Sequence, residues 1–431
     1  VPKLMQIVHG FPPRENAGTE LYTYRLCEGM AKLGWESHVI SSTRAPGLKH
    51  CSVFPREQKE WGSITRIVNN LPWRPMAQGE RDPAIEQIIE RLEAELKPDI
   101  IHIQHLLFLS TGVQWKAPTV ATLHDAWGWC ARGGSLFHDG EACVGPDFSR
   151  CSSCYKEFRS GTDIEHALGM AAGKLTKFVS TERLHSIWKK LPTNIRSLTK
   201  KGGAKECSEG SFELRQSNTA GAFRRCDIII SPSMWLKQEA ERHNLGEVIH
   251  VPHGVEPPKN EGRPNEDFFL FLGSIAPHKG PSLVADAWRA ASEVQMVPRL
   301  RIIGPIVDSK YAESIPEELL EPPVSPAEVT DILQRCKALI LGSKWPENSP
   351  LVILEALAAG CPVIAPKIGG IPELIREGVD GILYEPGCLN SLKQAIVEFE
   401  PSEYSPKPPS TFSEHTEKIE NIYRSIMKVR G

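Results

Sequence analysis

The chain has 431 residues, more than one ordinary hydrophobic core holds, so two domains are expected. It is 40% hydrophobic and 24% charged with a formal net charge of −3, a globular composition that gives no reason to expect nucleic acid as a partner. The cysteine count is odd, at eleven, and no apolar run reaches membrane-span length, so a cytoplasmic, reducing setting is expected without a leader or an anchor.

The first half alternates strand and helix patterns. Residues 4–9 read as a short apolar strand, followed by a Gly/Pro-rich loop at 10–18. A helix from about Thr19 runs to Leu33 and stops at Gly34, a glycine C-cap. Residues 37–41 form a second strand. Asp82 and Pro83 supply an N-cap and a first-turn proline for a helix with Ile85, Ile88, Ile89, Leu92 and Leu96 on one face. Strands are expected at 99–103, 119–123, 227–231 and 248–251. The stretch 151–222 breaks the pattern. It carries Lys174, Lys177, Arg183, Lys189, Lys190, Lys200 and Lys201 and has little strand signal. A Cys-rich and basic insertion over about 126–225 accounts for it, either as a solvated face or as a patch for anionic lipid or an anionic acceptor.

The second half restarts the alternation. Residues 255–267 read as a linker. Strands follow at 268–272, 300–303, 338–341, 363–365 and 381–384. Pro281 opens a helix bearing Leu283, Val284, Ala287 and Trp288. Ser325-Pro326-Ala327-Glu328 sets an N-cap, a first-turn proline and a capping-box glutamate in register. The tail 413–429 places Ile419, Ile422, Tyr423 and Ile426 on one helical face, which predicts a docked helix. The expected fold is α/β: two doubly wound domains, 1–255 and 256–410, with 411–431 returning to the body of the protein. The cleft between the domains is the default ligand site.

Chemistry concentrates around 342–360. Glu347 lies in a loop after an apolar strand, and Glu355 lies eight positions on, a turn inside the following helix. A helix N-terminus favours an anion such as a diphosphate. The carboxylates suit hydroxyls, and a sugar and a ribose are hydroxyl-rich neighbours of a diphosphate. The loop 273–280 follows a strand, opens a helix and carries Lys279, a phosphate-binding arrangement that is weak on its own. Gly18 lies in the loop after the first strand, where a glycine lets a ligand approach. His124, followed by Asp125, ends an apolar strand and faces the crevice of such a sheet; a hydrogen-bonded histidine with no ligand is the plain alternative.

These residues, in this order, resemble the retaining, nucleotide-sugar-dependent glycosyltransferases of the GT-B fold, in particular glycosyltransferase family 4. The resemblance runs from the first strand to about Tyr384. It rests on the Gly18 loop, Leu123-His124-Asp125, the 273–280 loop with Lys279, the glutamate pair with the segment 355–365, and Gly369-Gly370-Ile371-Pro372-Glu373. It implies that Lys279, with backbone N–H groups of Leu351 and Val352, binds the donor diphosphate, and that Ser274 and Ser349 belong to the donor site. It further implies that Glu355 holds the ribose and Glu347 the transferred sugar, that Gly18 lets the first-domain loop close, and that His124 sits near the anomeric carbon. The implied catalytic set is His124, Glu347 and Lys279. The implied reaction is metal-independent hexosyl transfer to an acceptor hydroxyl with retention, with the departing diphosphate as base. A UDP-sugar is the favoured donor, with GDP and ADP sugars as alternatives. No Asp-x-Asp motif is present. Ser274 stands where the family often has arginine, and Pro350 where it often has glycine.

His102, His105, Trp127, Trp129 and Arg132 are expected to line the acceptor side of the first domain. Cys130, Cys143, Cys151 and Cys154 are separated by twelve, seven and two residues. Four thiolates suit a structural zinc or an iron–sulfur cluster, while two disulfides or four thiols are the alternatives. Catalysis itself calls for no cofactor. A sugar-nucleotide epimerase or phosphorylase of the same fold, and a non-catalytic sugar-nucleotide binder, are the competing functions. A nicotinamide dehydrogenase is disfavoured, because no G-x-G-x-x-G follows the first strand.

Overall fold

Apolar runs become strands buried on both faces, as a parallel sheet covered by helices requires. In this computed structural model residues 1–45, 48–70, 79–158, 208–258 and 266–430 are described. The first domain contains β1 (Lys3–Val8), β2 (Glu36–Thr43), β3 (Glu57–Lys59), β4 (Gly62–Val68), β5 (Ile100–Ile103), β6 (Thr119–Thr122), the hairpin β7 (Phe137–His138) and β8 (Glu141–Ala142), then β9 (Ile228–Ser231) and β10 (Val248–His250). Among the described residues its sheet runs β10-β9-β6-β5-β1-β2-β4-β3. The β3–β4 edge is antiparallel, and the other pairs are parallel. The second domain contains β11 (Phe268–Leu272), β12 (Arg299–Ile303), β13 (Leu320–Glu321), β14 (Ala338–Ile340), β15 (Val363–Pro366) and β16 (Gly381–Tyr384), ordered β13-β12-β11-β14-β15-β16. The winding reverses beside β1 in one sheet and beside β11 in the other. The carboxyl ends of these strands therefore open onto crevices, and the two crevices face each other.

The local signals work as their chemistry demands. Asp82 accepts from the N–H groups of Ala84 and Ile85, and the Ser325–Glu328 capping box closes in both directions. Five strands, β3, β4, β7, β8 and β13, and the helices Met234–Arg242, Ser309–Ala312, Ile371–Leu374 and Leu389–Glu398 are additions to the expected set. β4 mixes polar and apolar residues without alternation yet is buried throughout. Its Arg66 is tolerated inside because it pairs with Glu57 and donates to the Pro12 carbonyl.

The far end of the expected insertion is also core. The helix Glu209–Arg224 buries Phe212, Arg215, Thr219 and Phe223. Arg215 pairs with Glu80 at 3.2 Å and donates to the Trp127 carbonyl at 2.6 Å, so this part is not a solvated face. The expected basic patch, Lys174 to Lys201, lies outside the described residues.

The helix Phe412–Arg430 returns to the first domain. Its Ile419, Tyr423 and Ile426 pack among Leu4, Tyr22, Leu26, Met30 and Trp35. The chain crosses between the domains twice, side by side: Val255 bridges Thr411, with Val255 N–H on the Ser410 carbonyl and Phe412 N–H on the Val255 carbonyl. Among the described residues no helix is long and apolar enough to cross a membrane.

Candidate active-site cleft

The cleft between the two crevices has a volume of about 470 Å³, within the roughly 300–1,000 Å³ of a small-molecule site. Its walls include Gly18, Thr19, His124, Asp125, Ser274, Lys279, Glu347, Ser349, Leu351 and Val352.

Two helices start at this cleft. Gly18–Lys32 has Ala17 as N-cap and Leu351–Ala358 has Pro350, and neither helix receives a side-chain cap. First-turn N–H groups of both, among them those of Gly18, Thr19, Leu351 and Val352, are thus available to a ligand, and both dipoles present their positive ends. A Cβ on Gly18 would meet nothing within 4 Å. The protein itself does not require glycine there, which agrees with close approach of a ligand.

The second-domain floor is made by two loops pressed together. Gly280 has φ +63°, and a Cβ on it would lie 2.0 Å from the Gly342 carbonyl oxygen. A Cβ on Gly342 would in turn lie 2.2 Å from the Gly280 oxygen. Only glycine at both positions allows this approach. The contact brings Lys279 to Glu347, with Nζ on Oε2 at 2.7 Å, and Lys279 also lies over the Trp345 ring. Ser343 donates to the other Glu347 oxygen. Burial pushes the Glu347 carboxyl up, but Lys279 and Ser343 outweigh it and hold the group below the ordinary carboxylate range.

His124 is half-buried and lies under Tyr22 and alongside His253. Burial and the neighbouring histidines keep it neutral, well below the usual histidine range. Its Nε2 contacts Gln104 Oε1 at 2.8 Å, and Gln104 donates its own amide to Gln6 Oε1. With that amide orientation Nε2 is the donor, and Nδ1 is left as an acceptor. Three buried polar atoms of cleft residues have no protein partner: His253 Nδ1, Trp345 Nε1 and Ser349 Oγ. Such atoms call for a ligand or water.

Several expected residues are placed differently. Glu355 is tied to Arg25 of the first domain at 3.2 Å and does not itself line the cleft in this closed arrangement. Burial raises its carboxyl, and Arg25 opposes that. His102 does not reach the acceptor side. It is fully buried between Thr122 and Tyr423, because a histidine inside the apolar run 100–103 points into the layer that Phe412–Arg430 covers. Trp129 is buried against His243, and Trp127 against Arg215 and Phe223. His105 is buried too, with Nε2 on Asp125 at 3.2 Å, so it supports a cleft residue without lining the cleft. Arg132 lines a separate small cavity with the four cysteines.

Other contacts were not foreseen. Asn348 donates to the carbonyls of Leu123 and His124 and accepts from Ser233 at 2.6 Å. Glu373 accepts from the N–H groups of Met234 and Trp235, both at 2.6 Å. Gly369 and Gly370 press on the backbone oxygens of Glu347 and Asn348, and Gly370 N–H bonds the Glu347 carbonyl at 2.7 Å. The Gly-Gly-x-x-Glu stretch was the signal for the last two. Asn348 and Ser233 carry no such signal.

Two family descriptions match the chain: Glycosyltransferase Family 4 over residues 17–141 and Glycosyl transferases group 1 over residues 252–418. The first domain thus carries the family 4 description and the second the group 1 description, on a GT-B fold. It is 29% identical over 188 residues to an uncharacterized glycosyltransferase of Methanocaldococcus jannaschii, spanning 41% of this chain and 50% of the relative. It is 33% identical over 132 residues to the D-inositol 3-phosphate glycosyltransferase of Streptomyces bingchenggensis, spanning 26% and 28%. The chain thus spans half or less of the curated relatives it matches. By fold it is similar to sucrose-phosphate synthase from Thermosynechococcus elongatus, at TM-score 0.60 and 16% identity over 100% of this chain and 98% of that one. It is also similar to HepE of Anabaena in complex with UDP and glucose, at TM-score 0.53 and 15% identity over 99% and 98%.

Proposed function

We propose that the protein transfers a hexosyl group from a nucleoside-diphosphate sugar to an acceptor hydroxyl, with retention at the anomeric carbon. The observation that carries this reading is the convergence of two uncapped helix N-termini and Lys279 on one cleft. That is an anion site of diphosphate character, and hydroxyl-accepting groups stand beside it. HepE bound UDP and glucose, which supports a UDP-sugar as the first donor to test; GDP and ADP sugars are the next.

In this reading the diphosphate lies between Gly18 and the start of Leu351–Ala358. Lys279 turns from Glu347 towards it, and Ser274 and Ser349 donate hydroxyls. Glu347, ionised and buried, accepts hydroxyls of the transferred sugar, and His124 Nδ1 accepts another. Glu355 takes the ribose once its Arg25 contact is shared or released. The bond from the anomeric carbon to the β-phosphate oxygen breaks as the acceptor oxygen approaches the same face. The acceptor's proton passes to the departing phosphate oxygen. Charge accumulates on the diphosphate, so the helix termini and Lys279 supply the main stabilisation, and catalysis needs no metal.

The test is a thermal-shift panel of UDP-, GDP-, ADP- and dTDP-sugars on the native protein and on Glu355→Ala, followed by product stereochemistry with the active donor. Stabilisation by one donor that the variant loses is expected, because a ligand selective for the native state raises the melting temperature. Stabilisation by none, together with no nucleotide release across an acceptor panel, would end this reading. An inverted product would remove the retaining mechanism alone.

A further inference from the structure

The segment 126–158 walls the first-domain side of the cleft. It holds one 3-10 turn, a hairpin of two-residue strands and the helix Phe148–Phe158. Ala126, Trp127, Trp129 and Leu136 anchor its first part in the first-domain core. The remainder has only a small satellite cluster, Ala131, Tyr155 and Phe212, with Phe148 and Cys151 at the margin. A part with so little apolar packing of its own gains from a staple.

The fold supplies the parts of one. Cys130, Cys143, Cys151 and Cys154 all line a single cavity. Each position is set by the backbone. Cys130 N–H bonds the Ala126 carbonyl, Cys143 N–H bonds the Leu136 carbonyl across the hairpin, and Cys151 N–H bonds the Asp147 carbonyl where the helix begins. Cys151 and Cys154 are one helical turn apart and share a face. Arg132 and Arg150 lie among them, with Arg132 Nη1 3.7 Å from Cys154 Sγ and Arg150 Nη2 3.5 Å from Cys143 Sγ. We propose that these four cysteines bind one zinc ion as tetrahedral thiolates and that the ion fixes the 126–158 wall.

The charge balance suits this assignment. Four thiolates on Zn²⁺ leave a charge of −2, and two guanidinium groups already face the sulfurs. Zinc–sulfur bonds of about 2.3 Å place tetrahedral sulfurs about 3.8 Å apart. Among the described residues no three of these sulfurs yet lie within 4.8 Å of one another, so binding brings them closer together. The tighter group His50, Cys51 and Asp82 is explained without an ion: Asp82 caps the helix Pro83–Leu96 through one oxygen and holds His50 through the other.

The wall reaches the cleft at two points. Phe137 packs edge-on to His278, beside Lys279, with ring centroids 6.2 Å apart. Gly134, at φ +81°, lies against the Asp125 carboxylate, where a Cβ would come within 2.3 Å. An ion in the cysteine cavity would therefore set the shape of the site without touching substrate.

The test is elemental analysis of the full chain purified in reductant without chelator. One zinc per chain is expected, falling to none in Cys151→Ser/Cys154→Ser, with a loss of at least about 5 °C in melting temperature. If that variant fails to fold, cobalt exchange into the native protein replaces it, and the intense visible bands of tetrahedral cobalt thiolate are expected. Protein that stays free of metal after zinc reconstitution overturns the proposal. So do retention of the ion by the variant, iron with acid-labile sulfide at these cysteines, and two disulfides found by mass spectrometry in metal-free protein.

Discussion

At the scale of single residues, the cleft's working groups are held in defined charge states by their neighbours. Lys279 and Glu347 are one unit, so their substitutions should not add. Lys279→Ala is expected to lower kcat/KM about 100-fold, the scale of losing one preorganised charge contact, and Lys279→Ala/Glu347→Gln to lower it little further. Steady-state kinetics on these two variants and on Glu347→Gln checks this, and fully additive losses would mean that the pair acts independently. The buried histidines make a second prediction. Burial lowers His102 to about 3 and His415 to about 4, against an ordinary 6.5. Below pH 6.5 the unfolded chain binds protons that the folded chain refuses, so stability falls as pH drops, by up to about 1.4 kcal/mol per histidine per pH unit. Glu347 acts in another window. Its depressed carboxyl contributes stability above its ordinary value of 4.5, which is lost only as pH falls through the lower folded value. The urea midpoint should therefore drop between pH 7.5 and pH 5.5, and equal midpoints would contradict neutral burial. Positions such as Glu347, Lys279 and Ser349 were legible because each follows a strand end or opens a helix. His102 was misplaced because a histidine within an apolar strand gives no sign of which layer will cover it. Arg25, Asn348 and Ser233 acquire their partners only when the domains face each other, and no local pattern encodes that.

At the scale of elements, the site depends on where helices begin and on how closely two loops approach. Gly18→Ala and Gly342→Ala separate these needs. The Gly18 Cβ would enter open space, so the melting temperature should stay within about 1 °C while donor KM rises, since the methyl occupies ligand space. The Gly342 Cβ would strike the Gly280 backbone, so that variant should lose roughly 2 kcal/mol or more of stability and bind donor poorly. Denaturant titration and donor affinity together decide; a neutral Gly342→Ala would mean that the loops can part without cost. The doubly wound plan was legible because long apolar runs alternate with capped amphipathic helices. β4 was not, because its polar residues are satisfied by partners distant in sequence, such as Glu57 and Pro12, and so escape the usual alternation.

At the scale of the molecule, three ties hold the domains face to face: Arg25 to Glu355, Asn348 to the 123–124 backbone and Ser233, and Glu373 to the start of Met234–Arg242. Glu373→Ala combined with Asn348→Ala removes two of them. The radius of gyration from X-ray scattering should rise and donor affinity should fall several-fold, while each domain keeps its own core; an unchanged scattering profile would assign closure to other contacts. Both domain crossings run together at Val255 and Thr411, which makes that paired segment the natural hinge for any opening. The returning helix Phe412–Arg430 has a further consequence, for synthesis. The first domain's layer over Leu4, Trp35 and Ile100 is completed by Ile419, Tyr423 and Ile426, residues translated after the whole second domain. The second domain, contiguous in sequence, can close its core on the ribosome, while the first waits with an uncovered apolar face, reversing the usual order in which a nascent chain folds. Nascent chains stalled before residue 412 should therefore be protease-sensitive in the first domain and protected in the second, and the waiting face is where a chaperone would find this protein.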